Sequence, residues 1–187
     1  PVSDYTLEEI KAAISARTIR PRWRIYVLYP DETINYQIPQ SDIKSGGSWS
    51  VNYQDGERRS LSFTLQNEDG RYLPTVNSFW AGTRLRLDMG VEMDDGAVVW
   101  FRKGVFIVSE ANPTLSPGEK SVAITAKDKY SLFDDKTGAI PATYTIAAGT
   151  DIRGIAESIM MTDMGNKNPF DPRHLIWHSS LQGKKTQ

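Results

Sequence analysis

The stretch SLSFTLQNEDGRYLPT, residues 60–75, decides the fold. Leu61, Phe63 and Leu65 alternate with Ser60, Ser62, Thr64 and Gln66. Side chains of a strand point alternately to its two faces, so this spacing predicts a strand with one apolar face against a core. At NEDG, residues 67–70, it runs into residues that form Asx turns and tolerate left-handed φ, and Pro74 then fixes φ and withdraws a donor. Glu68, Asp69 and Arg71 in this turn could also form an acid/base cluster, but catalysis needs several convergent groups, and the turn by itself reads as a device that ends one strand and aims the next.

The same period of two recurs outward from this stretch. WRIYVLY (23–29) and INYQI (34–38), joined by PDET, predict a β-hairpin. Further strands are expected at GSWSVNYQ (47–54), RRSLSFTLQN (58–67), GTRLRLDMGVEM (82–93), AVVWFRKGVFIVSEA (97–111) and EKSVAITAKD (119–128). The separators are QDGE, NEDGRYLPTVNSFWA, DDG and NPTLSPG. The Asp-Gly of MDDGA suits a tight hairpin loop. Short alternating strands at this spacing predict a mainly β fold, an antiparallel barrel or sandwich. Before it, Thr6 and Glu9 form a capping-box pattern, and Leu7, Ile10 and Ile14 make a thin apolar stripe. They predict a short helix within an arm of residues 1–20, able to dock on a partner or on its own domain.

After KDKYSLFDDKTGAIPA (127–142) the pattern changes. TYTIAAGTDIRGIAESIMMTDMG (143–165) predicts a short strand, an N-cap at Thr150 and a helix with Ile152, Ile155, Ala156 and Ile159 on one face. The expected division is therefore a β domain over 21–138 and the start of a small α+β domain over 139–187, with the chain stopping inside it.

The 187 residues carry 22 Lys plus Arg against 23 Asp plus Glu, so no global field draws the chain to nucleic acid or an anionic membrane. There is no cysteine, which excludes disulfides, thiolate catalysis and cysteine-bound zinc. No window approaches the roughly 20 apolar residues of a membrane span, and the expectation is a soluble protein made in the cytosol.

Other candidates have plainer readings beside the functional one. His174 and His178 in DPRHLIWH share a face at i, i+4, and Asp171 is the nearby carboxylate, but a zinc site takes three or four ligands. The acidic DMGVEMDDG (88–96) lacks the alternating pattern of a calcium loop. Trp23, Tyr26 and Trp100 fall in strand patterns as core or subunit interface, with a sugar-stacking platform as the alternative. Arg20, Arg22 and Arg24 form a basic cluster, either a solvated face or a contact with an acidic neighbouring subunit. No G-x-S-x-G elbow anchors a hydrolase triad. On these grounds no catalytic, cofactor or metal residue is assigned, and no enzymatic activity is expected.

Taken in order, SLSFTLQNEDGRYLP, WAGTRLRLDMGV, WFRKGVFIVSEANPTLSPGEKSVAITAKDKYSLFDD and TYTIAAGTDIRGIAESIM resemble the N-terminal part of bacteriophage tail hub proteins, also called tail-tip or tail-associated proteins, related to the baseplate hub of contractile tails. The resemblance covers roughly residues 41–160. It rests on the Asn-x-Asp-Gly-Arg turn, a W-x-G-x-R lead-in, a G-x-F-x-V strand before SPGE, and the KDK segment. It implies a β-barrel tube domain in a homotrimeric hub of the virion tail tip, in contact with the tail tube or distal tail protein and with tip or fibre components, without sequence-specific nucleic-acid binding. A carbohydrate-binding β module for the bacterial surface is the alternative.

Overall fold

A computed structural model describes residues 5–15, 21–44, 46–52, 59–73, 81–133, 145–161 and 184–185. The chain divides into two compact units, Pro1–Thr137 and Gly138–Gln187.

The first unit holds helix α1 (Leu7–Ser15) and seven strands: β1 (Pro21–Leu28), β2 (Ile34–Gln37), β3 (Ser48–Val51), β4 (Arg59–Gln66), β5 (Arg84–Glu92), β6 (Val98–Ser116) and β7 (Glu119–Asp128). All pair antiparallel in a single sheet of order β2-β1-β5-β6-β7-β4-β3. The alternation reads out directly: Leu61 and Leu65 are fully buried and Phe63 nearly so. They join Ile25 and Val27 of β1, Leu85 and Leu87 of β5, Phe106 and Val108 of β6, and Val122, Ile124 and Ala126 of β7 in one cluster.

The sheet must curl. The Ile38 amide bonds Ile25 on the β2 side of β1, while Ile43 bridges Leu65 and the Lys44 amide bonds Thr64 on the β3 side of β4. On a flat sheet those two positions would lie six strand spacings, about 29 Å, apart. The five residue-to-residue steps from Ile38 to Ile43 reach at most about 18 Å. Two bulges in β6, at Lys103 against β5 and at Ser109 against β7, help the bend, because a bulge kinks and twists its strand. The curl stops short of a barrel: among the described residues no ladder joins β2 to β3.

β6 is longer than its sequence predicts. NPTLSPG was expected to be a connection, but Asn112–Ser116 continue the strand against Ala123, Val122, Ser121, Lys120 and Glu119, and only Pro117 and Gly118 turn. The MDDGA turn is tight as expected, with Gly96 at φ +83° and the Asp95 carboxylate accepting the Ala97 amide. In α1 the capping box forms: Glu9 Oε2 accepts from the Thr6 amide and hydroxyl at 2.7 and 2.8 Å, and the Glu9 amide donates back to Thr6 Oγ1.

In the second unit the helix α2 spans Ile152–Met161. Two expectations fail there. Residues 145–147 are not in a strand, and 143–144 lie outside the described residues. The N-cap is Asp151 rather than Thr150: Asp151 Oδ2 accepts the Gly154 amide at 3.2 Å, while Thr150 Oγ1 donates to the Ala147 carbonyl. Aspartate holds a fixed acceptor pair, so it captures the free helix amide one residue later than the sequence pattern placed it.

Candidate functional site

The turn after β4 lines a polar cleft that gathers both acidic and basic side chains. Asn67 begins it from a fully buried position, its amide bonded to the Lys120 carbonyl and its Oδ1 accepting the Tyr72 amide at 2.9 Å. The Asn67 carbonyl accepts from Gly70, and Gly70 takes φ +75°, the left-handed conformation that glycine adopts without a steric penalty. This reversal sends Arg71 outward and Tyr72 inward, where Tyr72 is 2% exposed.

Around the reversal lies a cleft of about 430 Å³ lined by Ser41, Asp42, Gln66, Glu68, Asp69 and Arg71. The trio that the sequence singled out does not act together. Arg71 Nε bonds Asp69 Oδ2 at 2.6 Å, but the Glu68 carboxylate turns to Gln66 Nε2 at 2.6 Å. The partner that the sequence did not reveal is Asp42, in a 3-10 turn at Gln40–Asp42 on the crossing between β2 and β3. Its Oδ2 accepts the Tyr72 hydroxyl at 2.6 Å and faces Arg71 Nη1 at 3.3 Å. Asp42 stands thirty positions before Tyr72, and no local spacing announces such a contact.

The electrostatics follow from this geometry. Hydrogen bonds from the Arg71 side chain and backbone hold the Asp69 carboxyl below its ordinary range. Burial, then the bond to Asp42, pushes the Tyr72 hydroxyl well above the usual tyrosine value. Burial also raises Tyr36, against the field of Arg71. General acid–base work is most efficient with groups that titrate near the working pH. Both groups move away from neutrality, Asp69 downward and Tyr72 upward. What the arrangement does is tie the β4 turn to the crossing that spans the curl. Among the described residues no group of three or more His, Asp or Glu could hold a metal.

The outer face of β1 and β5 gathers a second charged cluster. Asp88 is 1% exposed and accepts from Arg86 Nε and Nη2 at 2.8 and 2.7 Å, with Arg24 Nη2 at 3.4 Å. The Arg24 guanidinium lies 3.9 Å from the centre of the Trp100 ring and 5.6 Å from that of Tyr26, which Arg86 also faces. Trp100 can lie flat here because it stands over Gly90, where a Cβ would come within 2.9 Å of its ring. Trp23 packs instead against the core cluster. The basic cluster is thus matched within the sheet, Arg22 pairing Glu92 at 2.6 Å and Arg24 pairing Asp88. In the acidic stretch, Asp88 and Glu92 serve these arginines and Asp95 serves the hairpin turn. Arg20, Gly56, Asp171, His174 and His178 lie outside the described residues.

No protein-family model matches the chain, and no curated protein matches it. No helix among the described residues is long and apolar enough to cross a membrane.

Proposed function

We propose that the chain is a structural component of a phage or phage-like tail, a hub subunit whose oligomer closes the tail tube and joins it to the tail tip. The observation that carries this reading is the way the curled sheet ends. Its edge strands, β2 (INYQ) and β3 (SWSV), are four residues each and carry no charge, and among the described residues each is paired on one side only. Their shortness and the bulge at Asn35 of β2 are partial guards, but neither strand carries the charge or proline that single proteins also place on an edge, and a symmetric assembly buries such edges between copies. The motifs behind the resemblance support it from a second side, because they shape the curl: Gly70 aims the β4 turn, the Gly82 amide bonds the Val108 carbonyl, Gly104 follows the first bulge, and Pro117–Gly118 turn β6 into β7. In this reading the ring is a homotrimer at the virion tail tip. It touches the tail tube or distal tail protein on one side and tip or fibre components on the other.

Native mass spectrometry and end-on electron micrographs of the purified chain, alone and mixed with a tail tube protein, test it. The expected result is a threefold ring, formed alone or on the tube. A particle that stays monomeric in both samples would overturn the reading.

A further inference from the structure

We propose that α1 is a strap that undocks from the sheet as a unit while the sheet stays folded, uncovering an apolar patch of Met93 and Val99. The inference concerns the first unit alone and does not depend on the tail reading.

Three observations carry it. First, α1 touches the sheet through very little. Of its nine residues only Ile10 is buried, and the rest of its apolar stripe is left open, Leu7 64% and Ile14 46% exposed. Beside the helix, the Tyr5 hydroxyl donates to Asp95 Oδ2 at 2.6 Å.

Second, the patch beneath α1 is separate from the main core. Ile10, Met93 and Val99 form their own cluster, flanked by Tyr5, Ala13 and Phe101, and share no residue with the cluster that holds the curled sheet together. Losing Ile10 from it removes no side chain from the main core. Third, the bonds that shape α1 are local. The Thr6–Glu9 capping box and the Lys11–Glu8 ion pair at 3.0 Å lie within the segment, so none of them ties it to the sheet.

Local opening draws on elements with few buried apolar contacts, and α1 is such an element. A nine-residue helix is marginal by itself in water, which favours redocking over a long-lived open arm. The strap therefore covers Met93 and Val99 most of the time and opens transiently.

Methionine oxidation reads this opening, because peroxide converts an accessible Met to its sulfoxide. Met89, half-buried against the main cluster, is the internal reference, and Met93 is a buried member of the strap cluster. The full chain is treated with dilute hydrogen peroxide, and the two sulfoxides are followed by peptide mass spectrometry. Ile10→Asp is expected to raise the Met93 rate at least tenfold, with the Met89 rate and the thermal midpoint of the sheet nearly unchanged. Tyr5→Phe, which leaves Ile10 in place, should raise the Met93 rate about two- to tenfold, the range of one net hydrogen bond. Met93 and Met89 accelerating together in both variants would mean that α1 is part of one cooperative fold. A Met93 rate unmoved in both would mean that α1 does not gate it. Either result overturns the proposal.

Discussion

Replacing Gly70 with valine separates backbone strain from crowding. The residue sits at φ +75°, and a Cβ built there would lie 3.5 Å from Leu73 Cδ1, an ordinary contact. Any cost is therefore conformational. An L-residue in the left-handed region loses about 1–2 kcal/mol, β-branched residues fare worst, and the stiffer unfolded chain returns about 0.4–1 kcal/mol. We expect Gly70→Val to cost about 1.5 kcal/mol, or about 5 °C in thermal midpoint for a unit of this size. Asparagine tolerates the left-handed region, so Gly70→Asn should cost less than half as much. Gly90 is the opposite case. Its φ is not in the left-handed range, but a Cβ would meet Val98 Cγ1 at 2.4 Å and the Trp100 ring at 2.9 Å, so Gly90→Ala should cost about 1–3 kcal/mol by overpacking and Gly90→Asn more. Circular dichroism melts of the four variants give the ranking. Equal midpoints for wild type and Gly70→Val, or the same order of damage at both glycines, would refute the assignment.

Two further outcomes follow from particular contacts. Because burial and the Asp42 bond raise Tyr72 above its unfolded value, that residue supports folding below about pH 10, and the support fades as pH climbs through the ordinary tyrosine range toward the folded value. Alkaline denaturation should thus be shallower in Tyr72→Phe, at a neutral-pH cost of about 1–3 kcal/mol for the lost bond to a carboxylate, and parallel pH–stability curves would speak against it. Pro113 sits in β6 beyond the last β5 pair, Arg84 with Ile107, and the two-residue turn at Pro117–Gly118 makes Ser116 and Glu119 the bonded closing pair, so Pro113 faces its missing donor away from β7. Restoring the donor with Pro113→Thr should increase light scattering on heating at an unchanged melting midpoint, and unchanged scattering would show that this edge needs no guard.

The helix and strands were legible because their signals are local. Period-two alternation at Leu61, Phe63 and Leu65, the Thr6–Glu9 box and the Asp-Gly of MDDGA each involve residues within a few positions of one another. Local signals also misled. Asn112, Pro113 and Pro117–Gly118 look like a loop, yet Pro113 is compatible with a strand whose outer side, among the described residues, has no partner beyond the end of β5. The short strand expected before α2 does not form at residues 145–147, where Ile146 is 41% exposed with no ladder beside it. β propensity without a neighbouring strand does not make one.

Of the candidate site, the sequence alone determined the turn: Asn67 to Arg71 had to reverse the chain, since Asn and Gly accept conformations that other residues resist. Only the tertiary structure decided what the turn holds. Asp42 reaches Tyr72 and Arg71 because the crossing from Ile38 to Ile43 is too short to span a flat sheet, so closing that distance curls the strands and lays the crossing beside the β4 turn. The same holds for Asp88, an unremarkable acid within LRLDMG that becomes a buried anion between Arg24 and Arg86 once β1 pairs with β5. Alternation specifies which face a side chain takes, but its partner is set by strand order and register, which are properties of the whole sheet.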